Sequence, residues 1–145
     1  MSKGIFVIGM HRSGTSALAG ILDLMGFYSG AEIEMVPKNF DNKKGFFERK
    51  DVYQLNDNIL NESKSTWESP FGLEKISIDE KKYFNQTKKI IDKISVNSKN
   101  WFIKDPRLCL TYNCWSQHST DHCNILILRN PLEVSISLYK RNNLN

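Results

Sequence analysis

The chain of 145 residues is 40% hydrophobic and 25% charged, with a net charge of +4. That balance suits one globular domain with its own core and excludes a disordered or fibrous chain. No arginine-rich tract argues for nucleic acid, and no apolar run nears the length of a membrane span. With no signal peptide ahead of the first strand, a cytoplasmic location is expected.

The first element is a strand over Ile5–Ile8, β-branched and aromatic as buried parallel strands are. Gly9-Met10-His11-Arg12-Ser13-Gly14-Thr15-Ser16 follows, then a helix with Leu18, Ile21, Leu22 and Met25 on one face. Strand, glycine-bracketed loop and helix N-terminus make an anion cradle, because the loop N–H groups and the helix dipole converge on one spot. The Gly9-x4-Gly14 spacing is that of the nucleotide P-loop, but Thr15 stands where that motif has lysine. Arg12 brings positive charge from within the loop instead. The plain alternative is a glycine turn with no ligand.

Gly26 is expected to end this helix, and residues 29–45 read as an irregular loop, long enough to suggest a functional role. Gly45-Phe46-Phe47-Glu48-Arg49 then leads into a helix whose apolar stripe is Val52, Leu55, Ile59 and Leu60. Trp67, Pro70 and Gly72 mark a turn-rich connection over 61–78. Asp79 predicts an N-cap for a helix to about Ser95, with Phe84, Ile90, Ile91 and Ile94 inward and a solvated lysine face outward.

A second strand, Trp101–Lys104, runs into Asp105-Pro106-Arg107 and a short helix, Leu108–Trp115. After a polar turn over 116–123 comes a third strand, Asn124–Leu128, and a last helix from about Pro131 carrying Val134, Ile136 and Leu138. Cys109, Cys114 and Cys123 lack the spacing of a disulfide framework. Cys114, His118, His122 and Cys123 match no common zinc module, and a helix end plus turn explains them more simply.

Strands alternating with helices predict an α/β, P-loop-like three-layer fold: a central parallel sheet flanked by helices. Ligands of such sheets bind at the carboxyl ends of the strands. The first strand ends in the loop just described. The second ends in Lys104, Asp105 and Arg107, the third in Arg129 and Asn130, with Ser135 and Ser137 beyond. Together they predict a pocket for a ligand with several anionic groups. For Lys104 and Arg107 the plain alternative is a salt bridge to Asp105 or a capping role.

The loop Gly9–Ser16, the segment Gly45-Phe46-Phe47-Glu48, the element Lys104-Asp105-Pro106-Arg107 and the run from Leu128 to Ser137 resemble the sulfotransferases that use 3′-phosphoadenosine 5′-phosphosulfate (PAPS), in particular the bacterial carbohydrate-type branch. The resemblance implies a single domain over 1–145, short of the family's C-terminal part, with PAPS as donor, its desulfated product (PAP) and no metal. By resemblance, His11, Arg12, Ser13, Gly14, Thr15 and Ser16 hold the 5′-phosphosulfate, and Arg129 with Ser137 the 3′-phosphate. Ser135 is the weaker match. Lys104 and Arg12 would stabilise charge in the transfer, and Glu48 would take the proton from an acceptor hydroxyl, on a carbohydrate or a small molecule. Sulfuryl transfer is expected to depend on alignment and charge, by analogy with phosphoryl transfer. His11, Glu32 and Glu34 are weaker base candidates, and Glu48 has a plain alternative as a carboxylate favoured at a helix N-terminus. Two other readings compete. One is a P-loop nucleotide kinase, against which the missing lysine counts. The other is a non-catalytic PAP- or nucleotide-binding fragment.

Overall fold

In the computed structural model, which describes residues 3–38, 45–67, 78–118 and 121–142, strand β1 (Lys3–Ile8) lies in the middle of a three-stranded sheet. Strand β2 (Asn100–Lys104) pairs with it on one side and β3 (His122–Leu126) on the other, both parallel. Val7 sits opposite Lys104 and Ile125, so the strand ends are level at one edge. Side chains alternate across the sheet. Phe6, Trp101 and Ile103 face helices α2 (Lys50–Glu62), α3 (Glu80–Asn97) and α4 (Leu108–Ser116), while Ile5, Val7 and Phe102 meet Ala19 and Leu22 of α1 (Thr15–Leu24) on the other face. Helix α5 (Pro131–Asn142) completes a general α/β fold of three parallel strands and five helices. Among the described residues no helix is long and apolar enough to cross a membrane.

Local chemistry sets the boundaries. Asp79 caps α3, its carboxylate accepting from the Lys81 N–H. Gly26, at φ +84°, lets the chain leave α1, with the Phe27 N–H returning to the Leu22 carbonyl. The α2 stripe of Val52, Leu55, Ile59 and Leu60 is buried as periodicity predicts. The expected loop over 29–45 contains a 3₁₀ turn, Glu32–Glu34, and a bridge between Met35 and Arg49. Its residues 39–44, and Pro70 and Gly72 of the next connection, lie outside the described residues.

Three expectations shift. The inward face of α1 is Thr15, Ala19 and Leu22; Ile21 and Met25 are exposed, because small Ala19 is what lets the helix lie close to the sheet. In α3 the buried face is Tyr83, Thr87, Ile91 and Ile94, and Phe84 turns out to stack on His118. Strand β3 runs from His122 to Leu126, starting and ending two residues before the expected Asn124–Leu128. As an edge strand it buries little, so polar His122, Cys123 and Asn124 are tolerated, and its register is set by pairing with Gly4 to Ile8.

Candidate functional site

The chain leaves β1 at Gly9. A Cβ there would lie 2.8 Å from Thr15 Cγ2 and 2.9 Å from the Ile127 carbonyl oxygen, so no larger residue fits without moving backbone. Arg12 and Gly14 then adopt left-handed backbone conformations (φ 66° and 97°), which fold the loop back into the start of α1. Holding a non-glycine residue there costs of order 1 kcal/mol and marks a loop shaped for something besides connection.

Between this loop, the Phe46–Glu48 segment and the end of β2 opens a cavity of about 300 Å³. Thr15, Ser16, Glu48, Lys104, Arg129 and Arg141 are part of its wall, with His11, Arg12 and Gly14 at the loop side. Lys104 is almost fully buried. Its Nζ donates to Glu48 Oε1 at 2.6 Å, to the Phe46 carbonyl at 2.9 Å and to Ser16 Oγ at 3.1 Å. Three acceptors for three donors fix the ammonium and offset its desolvation.

The loop is latched to α5. Arg12 Nε donates to Ser137 Oγ at 2.9 Å, and Arg129 Nη1 donates to the Arg12 carbonyl at 2.9 Å. Arg129, just ahead of α5, also pairs with Glu133 in the first turn of that helix. The resemblance implies one phosphate for Arg129 and Ser137; in the structure they line different hollows. Arg129 lines the larger cavity, and Ser137 lines a smaller one of about 260 Å³ with Arg12, Lys140 and Arg141.

Other expected residues sit elsewhere. Ser13 is buried in a more apolar hollow with Cys109 and Val134, which shares Arg129 with the first cavity, and Ser135 lines that hollow while its hydroxyl donates to the Pro131 carbonyl. Arg107 takes the plain alternative: it pairs with Asp105 and Asp57 and stacks on Tyr53. Lys104 pairs with Glu48 rather than Asp105. Glu34 is committed to Arg49 and Lys93, and the Lys93 contact foremost pulls its carboxyl down to about 2. Glu32 borders another hollow, with Asp23, Gly30 and Lys38. His118 bonds Thr87 and His122 bonds Tyr112. Among the described residues no group of three or more His, Cys, Asp or Glu is placed to hold a metal. Sequence reasoning did not single out Lys140 and Arg141; their positions three and four residues after Ser137 were the available signal.

His11 packs against Trp67, ring centroids 4.2 Å apart, and its Nε2 is buried with no hydrogen-bond partner among the described residues. Burial first, then the charges of Arg107, Lys104, Arg141 and Arg12, lower its pKa from 6.5 to about 3. The unfolded chain therefore takes up this proton first. The His11 contribution to stability is whole above pH 6.5 and is lost as the pH falls toward 3. Asp105 opposes it: burial raises its pKa from 3.8 to about 6, so its contribution grows as the pH falls through that window. His11→Asn should therefore lessen the acid sensitivity of unfolding below pH 6.5. Parallel denaturant titrations of the two proteins across this range would check it; identical pH profiles would show that His11 is not held neutral.

Compared with known proteins, the chain matches no family model, no curated protein and no solved structure.

Proposed function

We propose that this protein is a PAPS-dependent sulfotransferase, moving a sulfuryl group to an acceptor hydroxyl of a carbohydrate or small molecule, on a P-loop-like three-layer core. The observation that carries the reading is the composition of the cavity wall. Lys104, Arg129 and Arg141 line it with the hydroxyls of Thr15 and Ser16, and among the described residues the one carboxylate in that wall is Glu48, already paired with Lys104. That excess of cationic and hydroxyl donors suits a phosphosulfate, and the unpartnered His11 Nε2 offers one more polar contact.

PAPS, when bound, supplies the activated sulfuryl group. The protein's part is to bind and orient. The loop from His11 to Ser16 offers N–H and hydroxyl donors to the 5′ end, and Arg12 adds charge. Lys104, fixed by its three acceptors, presents positive charge beside Ser16, where it can stabilise negative charge as it develops. Glu48 is the base for the acceptor proton. Lys104 engages its Oε1, leaving the carboxylate a second oxygen for that role.

A P-loop nucleotide kinase and a non-catalytic nucleotide-binding protein are the competing readings. PAP should raise the melting temperature more than ATP with Mg²⁺ does. At a hundredfold excess over Kd, ligand binding contributes roughly 2.7 kcal/mol, a readily measured shift. A larger shift with ATP and Mg²⁺ would favour the kinase. A PAP shift with no PAP release from PAPS across a panel of hydroxyl acceptors would favour the binding protein.

A further inference from the structure

The hollow bordered by Glu32 meets the cationic cavity at Phe46, which belongs to both walls. Its volume is about 410 Å³, and Asp23 of α1 lies in its wall with Phe46 and Phe47. The loop that forms the rest of the wall is firmly held. Arg49, only 2% exposed, donates to the Ser29 carbonyl at 3.2 Å and pairs with Glu34. The Val36 N–H donates to the Glu48 carbonyl at 2.8 Å. Gly30 adopts φ +149°, and a Cβ there would lie 2.7 Å from Arg49 Nη1, so glycine is required where the loop passes that guanidinium. The hollow is thereby tied to Glu48, the proposed base. Its charge is opposite to that of the cavity. Asp23 and Glu32 are exposed and form no ion pair among the described residues, and Lys38 is the one cation among the described wall residues. Ser29 also lines it, only 6% exposed, with its hydroxyl making no hydrogen bond among the described residues. A donor whose phosphates and sulfate are all negative is repelled by such a wall. What fits is a group rich in hydrogen-bond donors, because ionised carboxylates only accept, laid against the apolar surface of two aromatic rings.

We infer that this hollow is an acceptor subsite: it holds the unit of a saccharide one ring removed from the reacting hydroxyl, and it selects an amine-bearing unit over a neutral one and rejects an acidic one. The inference rests on the sulfotransferase reading and deepens it. The reacting hydroxyl lies at Glu48 and Lys104, and the next ring passes Phe46 into the hollow. There Asp23 and Glu32 accept from its ammonium or hydroxyl groups, and the Ser29 hydroxyl adds a further polar contact. Asp23 follows Ser16 by seven residues in α1, about 10 Å along the helix axis. One sugar ring does not span that distance, and two linked rings do. An acidic ring would set its own negative charge against two carboxylates, with Lys38 alone to offset them, which is discrimination by repulsion.

The test is PAP release from PAPS with four acceptors: the free-amine disaccharide of glucosamine, cellobiose, cellobiuronic acid, and glucosamine alone. For wild type, kcat/KM should fall in the order amine, neutral, acidic disaccharide, the first about tenfold above the last, and glucosamine should lie about tenfold below its disaccharide. The double variant Asp23→Lys with Glu32→Lys should reverse the order of amine and acid through KM, and leave glucosamine and the KM for PAPS within about twofold. Both positions are exposed, so its melting temperature should match wild type. A variant that merely disturbs the fold would lower all four acceptors alike, so the reversal isolates the subsite. The inference is overturned if wild type prefers the acid, if the double variant keeps the wild-type order, or if no disaccharide is used better than glucosamine. It also falls if none of the four releases PAP. The sulfotransferase reading then stands if another hydroxyl acceptor is turned over, and falls with it if PAP gives no melting shift.

Discussion

Glu48→Gln is expected to lower turnover about 10²–10⁴-fold, the usual worth of a general base. The substitution keeps the size of the side chain and an oxygen that can still accept from Lys104, whose Nζ lies 2.6 Å from Glu48 Oε1. What it removes is the capacity to take a proton. PAP affinity should change little, because Glu48 is assigned to the acceptor side. The measurement is PAP released from PAPS with an accepted hydroxyl compound. Retained turnover within a few-fold would reduce Glu48 to the partner of Lys104 and return attention to His11.

Lys104→Met should destabilise the fold by about 3–5 kcal/mol, the cost of leaving one member of a buried ion pair without its partner. Lys104 and Glu48 are both largely buried, their side chains only 2% and 9% exposed, so water cannot take the place of the missing charge. The double variant Lys104→Met with Glu48→Gln should regain much of that loss, since neither side then carries an uncompensated charge. Equilibrium denaturation of the single and double variants measures this directly. Additive losses would mean that the two side chains do not act as a pair. The double variant also separates stability from chemistry: it should fold better than Lys104→Met and be no more active than Glu48→Gln.

Much of the architecture was legible without coordinates. The apolar run of β1, the glycine-bracketed loop, the Asp79 cap and the stripe of α2 are each decided by backbone preference and short-range periodicity, and each is present. The helix faces were less legible. Which stripe of α1 is buried depends on the surface it meets: the sheet takes the small Ala19, while Ile21 and Met25, expected on the apolar face, are exposed. The start of β3 was hidden for a similar reason, because an edge strand needs no apolar residues at its outer positions.

For the site, the sequence by itself determined the inventory: a loop with Arg12, Thr15 and Ser16, cations at strand ends, and a glutamate after a long loop. Only the tertiary structure decided who pairs with whom. Lys104 took Glu48, 56 residues away, while Arg107 took Asp105 and Asp57. Arg129 and Ser137, paired by the resemblance, line different hollows, and Lys140 and Arg141 join Ser137. The physical reason is range. Strand and helix preferences act over a few residues and can be read in order along the chain. A buried charge is satisfied by whichever opposite charge the packing of the sheet and helices brings within about 3 Å, and that distance has no counterpart in sequence separation.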